Sequence, residues 1–325
     1  MSVKRTTAVG LGQPAVPPPV TVTKKRAFGS ARTGEALLRP DEYRLLRDLV
    51  SERLGIWFGP DSRSSLERRL RERLGVRGLT SFGDYYQLLK YSPLGAEEWD
   101  EAADILTTHE TYFFREDYQL RAFQNELLPG LAMGARRRIQ VWSAGCSTGE
   151  EAYTIAMLIL ESKLFDPASG WEVRVYGSDL SKKCIAAARR GVYGPASFRS
   201  TSDEAKAKWF APAGTSASGA SYGVAPTPRS LCHFAQMNLL DEERTHLVGR
   251  CDVIFCRNVV LYFDAAARRR VIDMFYERLV PGGVLLLGHA ESLLNVSTAF
   301  ELLHLKEDLV YRKPLLTGAS TRQPK

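Results

Sequence analysis

The sequence predicts an α/β protein in which a small all-helical unit precedes a mostly parallel sheet with crossover helices. Three observations carry the prediction. Between residues 41 and 89 the apolar side chains recur at helical spacing, punctuated by Gly55 and Gly75. From residue 139 onward short apolar runs alternate with helix-length segments, the order that parallel strands joined by helices require. Near the C-terminus two strand-like runs are separated only by residues 306–308, which fits an antiparallel hairpin at a sheet edge.

Residues 1–38 are rich in Pro, Thr, Gly and Lys, lack apolar periodicity and read as a flexible basic tail. In 39–92, Tyr43, Leu46, Leu49, Val50 and Leu54 line a first helix that Gly55 stops. Asp61 or Ser62 stands where a cap belongs, before a second helix carrying Leu66, Leu70 and Leu74. Ser81 opens a third with Phe82, Tyr85, Tyr86, Leu88 and Leu89, and the Ser-Pro-Leu-Gly at 92–95 closes the unit. Helices near 96–106 and 116–132 make 93–137 a helical linker. The sheet domain, 138–313, reads as strand 139–143, helix 150–164, strand 172–179 and helix 181–190. Strand 252–256, helix 265–279, a turn at Pro281-Gly282-Gly283, strand 284–288 and the hairpin 300–305 with 309–312 follow. Two stretches break the alternation. Residues 211–223, rich in Ala, Gly and Ser, read as a loop, and 222–234 as two short strands around Pro226 and Pro228. A small β-subdomain is therefore expected at about 211–236, and 314–325 is a C-terminal tail.

At roughly 150 residues per domain, 325 residues allow about two domains. A composition of 44% hydrophobic and 25% charged residues excludes disorder throughout. No apolar run approaches the ~20 residues of a bilayer span, and Pro14, Pro17, Pro18 and Pro19 interrupt any secretory core. Cys146, Cys184, Cys232, Cys251 and Cys256 are odd in number and never spaced Cys-x-x-Cys, which argues against disulfides and a zinc site and for a reducing cytoplasm. The net charge is +7, but Lys4, Arg5, Lys24, Lys25, Arg26 and Arg32 against Glu35 concentrate most of it in the tail. A protein-wide nucleic-acid surface is not indicated, and any anionic partner meets a local patch.

The strongest local signal is Val-Trp-Ser-Ala-Gly-Cys-Ser-Thr-Gly-Glu-Glu at 141–151, where a strand ends in a small-residue turn and a helix begins. Gly145 and Gly149 permit close backbone approach to a ligand, although a tight structural turn presents the same pattern. Asp179, at the end of the next strand, stands where nucleotide-binding sheets place a ribose acceptor, or caps the helix opening at Ser181. Glu150 and Glu151 beside the turn would repel a pyrophosphate but hold the ammonium group of S-adenosylmethionine. Arg257 and Asn258 close a strand at the edge where open α/β sheets bind ligands.

These segments in combination resemble the CheR-type chemotaxis receptor glutamate O-methyltransferases over residues 39–313. The resemblance rests on Thr-x-Phe-Phe-Arg-Glu at 111–116, Ser-Thr-Gly-Glu-Glu at 147–151, Ser178-Asp179 and Asn238-Leu239. Phe-Cys-Arg-Asn-x-x-x-Tyr-Phe at 255–263 and Gly-His-x-Glu-Ser at 288–292 complete it. It implies a class I, Rossmann-like methyltransferase with a mostly parallel seven-stranded sheet and C-terminal antiparallel hairpin, a helical N-terminal domain and an inserted β-subdomain. By this resemblance S-adenosylmethionine is the methyl donor, S-adenosylhomocysteine the product, and no metal takes part. Thr111 and Arg115 from the linker, Gly145, Glu151 for the methionine portion, Asp179 for the ribose and Asn238-Leu239 near the adenine form the donor site. His109 stands there where the family commonly has Asn. Arg257, Asn258 and Tyr262 lie near the reacting methyl, and Arg115, Tyr262 and Asn258 act in catalysis. Arg63, Arg69 and Arg73 match basic positions that meet an acidic receptor helix, and the β-subdomain resembles a dock for a receptor's C-terminal peptide. The expected protein is a cytoplasmic monomer that methylates chemoreceptor glutamates, without nucleic-acid partner or membrane insertion. A non-catalytic S-adenosylmethionine- or S-adenosylhomocysteine-binding signalling module, or a methyltransferase for a small molecule or nucleic acid, are the alternatives.

Overall fold

The protein's structure, a computed structural model, describes residues 36–216 and 219–315. Both expected tails lie outside these residues except for 36–38 and 314–315. Four helices come first: α1 (Pro40–Leu54), α2 (Arg63–Arg77), α3 (Phe82–Tyr91) and α4 (Gly95–Leu106). Leu46 and Val50, Leu66 and Leu70, Phe82 and Tyr85, and Ala102 are fully buried where these helices meet. Ser81 caps α3 by accepting the Asp84 amide at 3.0 Å.

Glu98 of α4 is buried in this helical core. Arg73 donates to it through Nε and Nη2, each at 2.8 Å, the Tyr85 hydroxyl donates at 2.8 Å, and Arg77 completes the set. Arg73 is therefore an internal counter-ion, which corrects the expectation that it faces a substrate: its charge is spent on a carboxylate 25 residues away in the chain. Burial alone pushes the Glu98 carboxyl up, but the bonds from Arg73, Arg77 and Tyr85 outweigh it and hold its pKa below the ordinary value. Such a carboxylate stabilises the fold above its unfolded pKa, about 4.3, and the contribution is lost as pH falls through the folded value. Glu98→Ala strands Arg73 and should cost about 3–5 kcal/mol at pH 7. In denaturant melts the gap to wild type should narrow as pH falls below about 4.3, where the unfolded chain takes up a proton that the native carboxylate still excludes, and close as pH passes through the lower native value.

The chain continues through α5 (Asp117–Ala122), a π-helical turn (Phe123–Leu127) and α6 (Leu128–Ala132). Then follow β1 (Arg138–Ala144), α7 (Glu150–Ser162), β2 (Glu172–Asp179), α8 (Lys182–Arg190), β3 (Val192–Tyr193), α9 (Asp203–Trp209), β4 (Phe210–Ser216) and β5 (Gly219–Val224). The last elements are α10 (Pro226–Leu231), β6 (Cys232–Gln236), α11 (Glu242–His246), β7 (Cys251–Cys256), α12 (Ala265–Arg278), β8 (Leu279–Leu287), β9 (Glu301–His304) and β10 (Leu309–Arg312). Seven strands form one sheet in the order β6-β2-β1-β7-β8-β10-β9, parallel through β8 and antiparallel at β10 and β9. Alternation along the strands feeds two cores. Val141, Val253 and Phe255 face α7, whereas Trp142, Ile254 and Cys256 face α12. The chain builds outward from β1 to β2 and β6, then returns to β7 on the other side. That reversal opens a crevice at the carboxyl ends of β1, β2 and β7.

Three expectations change. Residues 211–223 are not a loop but most of the β4–β5 hairpin, which with β3 forms a separate three-stranded sheet. Cys232–Gln236 does not belong to that subdomain; it is the edge strand of the main sheet, paired with β2, and Pro226–Leu231 is a helix. The turn at Pro281-Gly282-Gly283 is absorbed into β8 as an irregularity, because Cys251 pairs with Leu279 and Val253 with Val284.

Candidate active site

The crevice holds a cavity of about 160 Å³ that opens to solvent. It is lined by the linker from Leu106 to Tyr112 and by Arg115, by Gly145, Cys146 and Ser147 after β1, and by Glu151 of α7. Asp179 at the end of β2, Met237 to Leu239 after β6, and Arg257 to Val259 with Tyr262 and Phe263 after β7 also line it. Every donor-site and catalytic residue named from the sequence is thus gathered here: His109, Thr111, Arg115, Gly145, Glu151, Asp179, Asn238, Leu239, Arg257, Asn258 and Tyr262.

The turn after β1 is closed upon itself. The amides of Gly145 and Cys146 both donate to the Ser178 carbonyl, at 2.8 and 2.9 Å, Ser147 donates to Asp179 Oδ2 at 2.8 Å and Gly149 to the Cys146 carbonyl at 2.9 Å. These amides are not left to cradle a phosphate. Gly145 has φ +84°, and an added Cβ would lie 2.4 Å from a Val259 methyl. Gly149 has φ +98° and an added Cβ would meet Ala188 at 2.7 Å, so its requirement is the packing of α7 on α8 rather than ligand approach.

The two glutamates diverge. Glu150 turns away from the cavity, accepting from Thr148 at 2.6 Å and Ser197 at 2.9 Å, which corrects the reading that both carboxylates flank the ligand. Glu151 faces the cavity, accepts from Ser143 at 2.6 Å and lies 3.4 Å from Arg257 Nη1. Arg257 is buried and also donates to Glu116 at 3.0 Å and to the Arg115 carbonyl at 2.7 Å. One guanidinium thus serves two carboxylates. Burial pushes Glu151 up, Arg257 pulls it down, and the net direction is up, so the site favours a cationic ligand group that restores the carboxylate. Asp179 is likewise pushed up by burial against the opposing amides of Ser181 and Ser147.

The linker is pinned at several points. Phe113 is fully buried among Tyr193, Phe198 and Phe210, with ring centroids 4.7–5.4 Å apart. Ser147 Oγ donates to the His109 carbonyl at 3.1 Å. Arg115 Nη1 donates to the Glu110 carbonyl at 2.8 Å. The His109 ring stands with Nε2 2.9 Å from the Asp104 carbonyl and Nδ1 3.2 Å from Cys184 Sγ, and these acceptors, the sulfur first, push it up to about 9 against burial. Asn238 donates to the Arg53 carbonyl at 2.8 Å, tying the cavity floor to α1.

Phe114, Glu116, Ser147 and Asn258 have φ between 49° and 60°, and all four lie in or beside the segments that line the cavity. Left-handed backbone at such residues costs of order 1–3 kcal/mol each and persists where surrounding bonds enforce it. For Asn258 the enforcer is Glu291. One carboxylate oxygen accepts from the Asn258 and Gly288 amides, at 2.9 and 2.7 Å, and the other from Val259 and Leu261, at 2.9 and 3.1 Å. In the sequence Glu291 stands inside Gly-His-x-Glu-Ser with nothing local to mark this role, and Ser143, Ser147 and Cys184 carry no such mark either. Tyr262 is 40% exposed at the cavity mouth.

The basic trio of α2 does not form one free face. Arg63 is exposed, Arg69 is half-buried and donates to the Ile105 and Thr107 carbonyls at 2.9 and 3.2 Å, and Arg73 is buried on Glu98. Arg69 therefore braces the linker, and Arg68 joins Arg63 as an exposed cation.

Comparison with known proteins fits this geometry. Residues 41–107 match the family described as CheR methyltransferase, all-alpha domain, and residues 109–309 match CheR methyltransferase, SAM binding domain. The chain is 32% identical over 284 residues to chemotaxis protein methyltransferase 2 of Vibrio cholerae, covering 86% of this chain and 95% of that protein. It is 34% identical over 291 residues to the chemotaxis protein methyltransferase of Klebsiella aerogenes, covering 87% and 94%. It is 30% identical over 276 residues to chemotaxis protein methyltransferase 1 of Pseudomonas aeruginosa, covering 83% and 97%. Since the matches take in the helical domain and the cavity-bearing sheet in chain order, the chain belongs to the CheR methyltransferase family.

Proposed function

We propose that this protein methylates glutamate side chains of chemoreceptors, as a cytoplasmic monomer that uses S-adenosylmethionine and yields the γ-methyl ester. The observation that carries the reading is the cavity's chemistry: Glu151 for a cation, Asp179 for hydroxyls, and a turn whose amides are already engaged and offer nothing to a diphosphate. Bound there, the donor supplies an electrophilic methyl carbon on a sulfonium. Glu151, with Ser143 and Arg257 fixing its orientation, holds the amino group. Asp179 receives the ribose hydroxyls, while buried Met237 and Leu239 give the base an apolar surface.

The acceptor needs no general base, because a glutamate with a pKa near 4.3 is ionised at pH 7. What the chain supplies is alignment and exclusion of water; near-attack positioning contributes on the order of 7–11 kcal/mol. Tyr262 at the mouth and Arg115, whose Nη1 is committed to the Glu110 carbonyl, orient the incoming carboxylate without neutralising it strongly. Asn258 lines the same cavity. Exposed Arg63 and Arg68 on α2 suit an acidic receptor helix. The strand β4, paired on one side only, suits addition of a receptor peptide strand. Among the described residues no helix is long and apolar enough to cross a membrane.

The test is transfer of labelled methyl from S-adenosylmethionine to a chemoreceptor fragment, followed by mild base. Label released as volatile methanol is the expected result, since only an ester hydrolyses this way. Label that stays bound through base, or transfer to nucleic acid instead, overturns the reading, as does binding of the donor with no transfer.

A further inference from the structure

We propose that His109, Cys184 and Asp179 form a binding site for one thiophilic divalent cation of the Zn²⁺ type, and that this cation and the methyl donor exclude one another. Exclusion rests on the reading of Asp179 as a donor ligand; the site itself does not. The ligand atoms of the three side chains lie within 4.8 Å of one another, and His109 Nδ1 is 3.2 Å from Cys184 Sγ. In a tetrahedral zinc site, with bonds of about 2.0–2.3 Å, neighbouring ligand atoms stand roughly 3.3–3.6 Å apart. Closure therefore asks the widest pair to approach by at most about 1.2–1.5 Å, shared between two side chains. Among the described residues no other three such side chains gather.

Each ligand already has the outer partner that a metal ligand needs. The Asp104 carbonyl, 2.9 Å from Nε2, holds the proton of the neutral ring there and leaves Nδ1 to the cation. Asp179 is oriented by the Ser147 and Ser181 amides, at 2.8 and 2.9 Å, with a lone pair to spare on each oxygen. The Cys184 backbone is fixed by Ser181 Oγ at 3.0 Å from its amide. Binding displaces the thiol proton and any proton on Nδ1 to solvent. Thiolate, carboxylate and imidazole then match a dication, and the fourth position opens to the cavity that His109 and Asp179 line. A cation seated there occupies the Asp179 oxygens that the ribose would use.

The full chain is titrated with Co²⁺, whose bond to a thiolate gives a near-ultraviolet charge-transfer band, and Zn²⁺ is then added as competitor. One equivalent of Co²⁺ should raise the band, and Zn²⁺ should abolish it. Cys184→Ser should lack the band, and His109→Asn should weaken binding at least about tenfold. Saturating S-adenosylhomocysteine should release the metal from the wild-type chain. No thiolate band, or a band unchanged in Cys184→Ser with native melting behaviour, overturns the site. Metal and S-adenosylhomocysteine bound together overturn the exclusion. Failure of S-adenosylhomocysteine to bind the metal-free chain by calorimetry overturns the donor reading instead and leaves the Co²⁺ titration to decide the site.

Discussion

Asp179→Ala loses donor binding: titration of S-adenosylhomocysteine into the variant should give an affinity at least about a hundredfold below wild type. Both carboxylate oxygens already accept one backbone amide, Ser147 on Oδ2 and Ser181 on Oδ1, and each keeps one acceptor direction for a ribose hydroxyl. Two hydrogen bonds to a charged acceptor are worth about 1.5–3 kcal/mol each, and every 1.4 kcal/mol is about tenfold in affinity. The Ala variant also leaves the two amides without their acceptor, so a lower melting temperature is expected alongside. Asp179→Asn separates the two effects. It keeps the volume but must turn its NH₂ toward one of the amides, so affinity should fall while the melt moves less. Unchanged affinity in the Ala variant would remove Asp179 from the donor site.

What the sequence makes legible is what local patterning encodes. The alternation of Val141 with Trp142 and of Phe255 with Cys256 follows from a two-residue period, and the sheet's carboxyl rim follows from where those strands stop. The β4–β5 hairpin is illegible for a matching reason. Its Ala, Gly and Ser residues have little strand preference, 211–215 are exposed and β5 is mostly half-buried, so no buried stripe marks the period. Cys232–Gln236 overlaps the second short strand expected within 222–234; what its sequence does not show is the partner, β2 of the main sheet, because strand pairing is set by the fold.

Of the cavity's lining, Gly145, Glu151 and Asp179 are readable because each stands at the end of its own strand or the start of the next helix. Arg73 is misread because its partner, Glu98, is on another helix: the leucine phase of α2 shows which residues leave the stripe but not which of them meets a buried acid. The His109–Cys184 pair spans 75 positions and the Glu291–Val259 bond 32, and neither distance has a sequence signature. Tertiary partners of a polar residue are set by the fold, and their identity is invisible until the fold is known.

Glu291→Ala should abolish methyl transfer more completely than it weakens donor binding. The carboxylate accepts from four backbone amides, and three of them belong to the turn that carries Asn258 and leads to Tyr262. Asn258 sits at φ +60° and holds that conformation against a cost of order 1 kcal/mol or more. With the acceptor gone, the turn gains freedom at the place where the incoming oxygen must be aligned. Asp179 and Glu151, on other strands and helices, keep their partners. A misplacement of about 1 Å is enough to cost on the order of a hundredfold in rate, so kcat should drop by that much or more with a smaller change in donor affinity. Glu291→Gln tests the account from the other side. One oxygen still accepts two amides, while the NH₂ faces the other two, so an intermediate rate is expected. Hydrogen exchange reads the cause directly: the amides of Asn258, Val259 and Leu261 should lose protection in the Ala variant, whereas those of β7 should not. Equal losses of kcat and donor affinity, or protection retained in the turn, would mean that Glu291 supports the fold at large and does not set the geometry of transfer.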